Sequence, residues 1–119
     1  MATLTIFTAQ ENGVATVANL AAASAGGDAA VNDGRTVLVV KNADSAPHTV
    51  TVTPARASVS QDGMGALTKA AIAVAVAAGD TTVIGPFGTA LFNDITGKIA
   101  ITYSAVTSVT IMAVRIAKI

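Results

Sequence analysis

The chain has no cysteine and no tryptophan, and only one histidine, one tyrosine and three phenylalanines among 119 residues. Each scarcity closes off a class of chemistry. Without cysteine there is no disulfide frame and no thiolate metal site, so burial alone must hold the fold. A single histidine, His48, excludes multi-histidine metal centres. Aromatics at 3% leave few rings on which bases or sugars could stack. Charge is sparse too: seven Lys and Arg balance seven Asp and Glu. A neutral chain lacks the electrostatic footprint of a nucleic-acid binder, so no nucleic-acid partner is expected. It also has little self-repulsion to oppose association.

Long hydrophobic runs are missing as well. The longest is "AAIAVAVAA", residues 70–78, closed off by Lys69 and Asp80. A membrane-spanning helix needs about 20 apolar residues, so no membrane partner is expected. The opening "MATLTIFTAQENG" has neither a basic n-region nor an apolar h-region, and it does not read as a signal peptide.

What the chain does contain is alanine, valine, isoleucine and threonine in alternation. "TLTIFT" (3–8) and "HTVTVTP" (48–54) have the two-residue period of half-buried strands. "RTVLVVKN" (35–42) is a β-branched run, and "ADSAP" (43–47) joins it to 48–54, which reads as a hairpin. Ile72, Val74 and Val76 stand at spacing two, which points to a strand, although the alanines between them leave a helix open. "TTVIGPF" (81–87) reads as the strand returning after an "AGD" turn. "KIAITYS" (98–104) places Ile99, Ile101 and Tyr103 on one face. "AVTSVTIMAVRIAKI" (105–119) is apolar on both faces, as a central strand would be. Residues 14–23 carry helix and strand signals together.

All seven acidic residues fall in segments that read as turns or loops. The expectation is a single all-β domain over 1–119: a β-sandwich or jelly-roll-like barrel of about seven to eight mostly antiparallel strands. Residues 1–13 form a possible N-terminal arm, and 24–34 and 55–69 read as exposed loops.

Motifs that carry chemistry are thin. Asp44, Ser45 and His48 are close in sequence, but a catalytic triad needs a buried acid, an oriented base and an oxyanion hole. A turn whose Asp and Ser satisfy local backbone groups explains them better. "GGDAAVNDG" and "QDGMGALTK" do not match a phosphate-binding loop. No catalytic residue, metal ligand or cofactor is expected, and the chain does not read as an enzyme.

"GRTVLVVKNADSAPHTVTVTP" and "AAGDTTVIGPFGTALFNDITGKIAITYSAVTSVTIMAVRI" together resemble the small capsid decoration (cement) and head-associated structural proteins of tailed bacteriophages. The resemblance covers 34–116 and rests on the series "IGPF", "FND", "GK". It implies a domain on the capsid exterior, with the major capsid protein as partner and a homotrimer as its assembled form. Weak contacts at several points would then add up. The candidate contacts for such attachment are the arm, Thr3, Leu4, Thr5, Ile6 and Phe7, which either adds a strand to a neighbour's sheet or pairs within its own, and the exposed loop residues Gln61, Asp62 and Met64. A head–tail joining or tail protein is the alternative. A carbohydrate-binding sandwich is a further one, which the scarcity of aromatics opposes.

Overall fold

The computed structural model describes residues 2–9, 11, 13, 15, 19–56, 58–61, 63 and 65–116. Its strands in chain order are β1 (Ala2–Thr3), β2 (Ile6–Ala9), β3 (Ala21–Ala22), β4 (Asp28–Val31), β5 (Thr36–Asn42), β6 (His48–Thr53), β7 (Ser58–Gln61), β8 (Gly65–Thr68), β9 (Ile72–Val76), β10 (Thr81–Ile84), β11 (Lys98–Tyr103) and β12 (Val109–Ile116). One helical turn, α1 (Thr89–Phe92), lies between β10 and β11. The protein is all-β. Two sheets of five strands face each other and do not close into a barrel.

The first sheet runs β1-β4-β11-β6-β9; the second runs β10-β5-β12-β2, with β3 also on β12. Among the described residues, seven of the nine pairings are antiparallel, and β1–β4 and β12–β2 are parallel. The sandwich measures 48 × 36 × 21 Å. Its shortest axis suits two sheets about 10 Å apart with their outer side chains.

The alternation read in the sequence builds the core. Val50, Val52, Ile99, Ile101, Ala30 and Val76 project from the first sheet; Leu38, Val40, Ile111, Ala113, Val109 and Ile84 meet them from the second. On β6 the threonines between the valines are half-buried or exposed, as the two-residue period requires. β12 buries Met112 and Val114 as well as Ile111 and Ala113, in keeping with its apolar faces and its place inside the sheet. Phe87 and Phe92, ring centroids 5.6 Å apart, pack on the same core. Asn32 ties this segment down: its Nδ2 donates to Phe87 O (3.2 Å) and to Asn93 Oδ1 (2.8 Å), and Asn93 Nδ2 donates back to Asn32 O (2.7 Å).

Four expectations are corrected. First, 35–42 and 48–54 do not form a hairpin: β5 is in the second sheet and β6 in the first. The pair β9 and β10 divides in the same way. Alternation marks which residues face inward, but both sheets present the same inward pattern. A linker of five residues is long enough to cross the gap between them. Second, 55–69 is not all loop. β7 and β8 pair antiparallel from Ser58↔Thr68 to Gln61↔Gly65, as a two-stranded sheet of their own. Third, 24–34 holds β4, in which Asp28, Ala29 and Ala30 are buried. So one carboxylate does lie inside a strand. Glycines and Asn-Asp-Gly bracket a strand there that is too short and too alanine-rich to stand out locally. Fourth, the strands exceed the seven or eight expected, because the opening stretch divides into β1 and β2, and β3, β4, β7 and β8 fall in stretches read as ambiguous or as loops. Residues 14 and 16–18, in the ambiguous stretch, lie outside the described residues. Residues 72–76 are strand.

The pairings are nested. β3–β12, β4–β11, β5–β10, β6–β9 and β7–β8 enclose one another in order. The segments 43–47 and 77–80 are the corner where the inner ribbon folds from one sheet to the other. Asn42, fully buried, holds that corner: its Nδ2 donates to Ala46 O (2.8 Å) and Val76 O (3.1 Å), while its Oδ1 accepts from Asp44 N (3.0 Å).

Candidate functional site

The arm residues singled out in the sequence do come together, but on their own domain. β1 pairs with β4 in the first sheet and β2 with β12 in the second, so the segment changes sheets at Leu4–Thr5. Leu4 turns into the core, anchored by its N–H on Ala29 O (2.8 Å). Ile6 packs against the core from the edge. Thr3, Leu4, Thr5 and Phe7 line a cavity of about 190 Å³, open on one side. Ile111 and Met112 are among its apolar walls, and Ser24 and Asp28 are among its polar ones.

Asp28 is the unusual member. Its side chain is fully buried. Oδ2 accepts from Tyr103 Oη (2.6 Å) and from Ser24 N (3.2 Å). Oδ1 is buried and has no hydrogen-bond partner among the described residues. Burying a carboxylate is costly unless its oxygens are paired, so half of this group is uncompensated. Burial first, then the hydrogen bond and charge of Asp28, push the Tyr103 hydroxyl well above the ordinary phenol range. It therefore stays protonated and donates. Sequence reasoning missed this pair because 75 residues separate its members. The usable signal was Tyr103 itself. It follows Ile99 and Ile101 on the inward period of β11, and an inward phenol needs an acceptor.

Of the second predicted group, Asp62 and Met64 lie outside the described residues. Gln61 pairs with Gly65 at the tip of the β7–β8 ladder. The structure thus separates Gln61 from the arm in both sequence and sheet, and the two groups do not make one described site.

The Asp44–Ser45–His48 cluster forms a turn. His48 Nε2 donates to Asp44 Oδ2 (2.8 Å), and Ser45 gives its backbone N–H to Asp44 Oδ1 (2.8 Å). Those bonds, the one from His48 first, hold the Asp44 carboxyl below its usual range. The Asp94 turn is built alike: Oδ1 accepts from Thr96 Oγ1 (2.6 Å), Thr96 N (2.8 Å) and Lys98 N (3.1 Å), and its carboxyl is lowered by the Thr96 hydroxyl first, then by the backbone of Lys98. A carboxyl lowered on folding stabilises the fold above its unfolded value. That contribution is lost as pH falls through the lower, folded value. Acid unfolding below about pH 4 should therefore draw on these two turns. In a denaturant series between pH 6 and pH 2, the double variant D44N/D94N should show a shallower loss of stability than the parent protein. An unchanged slope would count against the assignment.

The last feature is a free edge. Ser104 N donates to Thr49 O, and Ser104 Oγ accepts from Thr49 N (both 2.9 Å), so Thr49 turns its backbone toward β11. Alternation along an antiparallel strand then turns His48, Val50 and Val52 toward β9, onto Val76, Val74 and Ile72. The N–H and C=O groups of Ala73 and Ala75 face away from the sheet. β9 ends the sheet on this side, and its residues Ile72–Val76 carry no charge and no proline. On β10, by contrast, Asp80 Oδ1 accepts from Thr81 N (2.9 Å), which partly blunts that edge.

Among the described residues, no group of three or more His, Cys, Asp or Glu could hold a metal ion, and no helix is long and apolar enough to cross a membrane. No protein-family model, curated protein or solved structure matches this chain.

Proposed function

We propose that the protein is a structural component of a virion, a capsid decoration protein that attaches to the outer surface of a tailed-phage head and stabilises it by bridging capsomers. The observation that carries this reading is the edge of β9, a neutral five-residue strand at the end of its sheet whose outward amides have no partner among the described residues. Monomeric proteins commonly protect such edges with lysine, proline or a bulge. An unprotected edge is suited to receiving a strand from a neighbour. The nested strand order supports the reading. A jelly roll, an architecture shared by viral capsid and lectin domains, is wound from a nested ribbon of this kind, though fold alone does not fix function. The resemblance of 34–116 to head-associated phage proteins points the same way. In this reading the partners are the major capsid protein and two further copies of the chain, in a trimer.

The test is binding to expanded, empty capsids with image reconstruction of the particle. Density on the head exterior, repeated over the surface, is the expected result. Density at one vertex or along the tail would instead select a joining or tail protein, and no binding would reject both. A75K places a charge on the free edge. It should reduce capsid occupancy at least tenfold while shifting the thermal midpoint little, because Ala75 is exposed. Full occupancy with A75K would remove β9 from the interface.

A further inference from the structure

The capsid reading leaves the cavity under the N-terminal arm without a role. We propose that this cavity is a socket for a primary alkylammonium group, with Asp28 as its anionic end. Three observations meet here. The cavity, about 190 Å³, is of the size that takes a small organic ligand; one of about 150 Å³ in another protein holds benzene. Its walls are mostly short or apolar side chains, including Leu4, Phe7, Ile111 and Met112, and among the described residues no lysine or arginine lines it. Asp28 forms part of its wall, fully buried, with Oδ1 lacking a donor among the described residues.

Those features select the ligand class. An anion would meet a buried carboxylate with no cation beside it among the described residues. A neutral apolar molecule would fill the space and leave Oδ1 unpaired. A primary ammonium on a short alkyl stem supplies both the missing donor and the counter-charge, and its methylenes suit the walls. Tyr103 and Ser24 already occupy Oδ2 and fix the carboxylate, so the incoming donor is directed to Oδ1. Phe7 adds an aromatic ring to the wall, a group that can attract a cation. β1 is the neighbouring strand here, a two-residue parallel ladder on Asp28 and Ala29. Oδ1 is closed to solvent, so binding requires the residues around it to shift.

A primary ammonium can come from a free amine or from a lysine side chain of a docked protein. Both sources are tested on the full chain by amide NMR titration. n-Butylammonium is expected to give saturable shifts centred on Ser24, Asp28 and Tyr103. n-Butanol, equal in length but uncharged, should bind at least tenfold more weakly. D28N should abolish the preference for the ammonium. Y103F retains the carboxylate and should keep that preference, so it serves if D28N does not fold. N-acetyl-lysine N-methylamide carries amides on both sides, as a protein chain would. Binding equal to that of n-butylammonium assigns the socket to a lysine side chain, and binding by n-butylammonium alone assigns it to a free amine. No saturable shift at these positions, or equal binding of n-butanol, overturns the proposal. Because no capsid enters this titration, its failure leaves the capsid reading intact, and the reverse also holds.

Discussion

Asn42→Ala should be among the most damaging single substitutions in this protein. The side chain is small, but it satisfies two carbonyls, Ala46 O and Val76 O, and one amide, Asp44 N. It is also fully buried, so water does not take over freely. An unsatisfied buried polar group costs about 1–3 kcal/mol. With part of this site near the surface, the loss should come to about 3–5 kcal/mol. Total stability of a domain is about 5–15 kcal/mol, so a large share would go. Urea unfolding is the measurement: the midpoint should fall sharply with the slope unchanged. Asn42→Asp separates the roles, because it keeps the acceptor for Asp44 N and loses both donors. It should remain strongly destabilised. A variant Asn42→Ala that unfolds with the parent midpoint would show that the corner is held by something other than this side chain.

The second large effect is expected at Gly85. Its φ is +120°, a region L-residues rarely enter. A Cβ there would lie 3.0 Å from the Phe87 ring, 3.1 Å from Thr36 O and 3.2 Å from Val37 Cα. Two of those three atoms are backbone of β5 and cannot swing aside. Strain of about 1–3 kcal/mol and overpacking of about 1–3 kcal/mol act together in Gly85→Ala. Gly79 is the internal control. It also has positive φ, +76°, but a Cβ would meet nothing within 4 Å. Gly79→Ala should therefore show the strain alone, and its thermal midpoint should fall less than half as far. Equal losses at the two positions would mean that crowding by β5 contributes nothing.

The strands were legible where one sheet face is buried and the other is wet. β6 and β11 announce themselves through Val50, Val52, Ile99 and Ile101, because inward and outward residues must alternate. β12 was legible for the opposite reason, as an apolar run on both faces. The sheet to which each strand belongs was not legible. Val40 and Val50 look alike in sequence, yet they enter the core from different sheets. Partner choice depends on pairings such as Ala30↔Ile99, and no local pattern encodes these. The candidate site was legible in half. Thr3, Leu4, Thr5 and Phe7 stood out as an arm, and they line the cavity. The charged group that gives the cavity its character did not stand out. Asp28 sits between Gly27 and two alanines, the company of a loop aspartate, and Tyr103, which makes its burial tolerable, comes far along the chain.

The nested ribbon has a consequence for how this chain can be made. Among the described residues, eight of the nine ladders join a strand that ends by Gln61 to one that begins at or after Gly65; only β1–β4 lies within the first half. A chain emerging from the ribosome therefore holds seven strands before the partner of nearly any of them exists. Until β8 follows, those strands expose edges and apolar faces with nothing of their own to close them. Folding then proceeds as a closure from the tip, in which each ladder shortens the loop the next must span. A nick at the tip would leave two fragments, each bearing one side of the sandwich's ladders. Neither fragment should fold alone, and the two together should assemble like the halves of a zip.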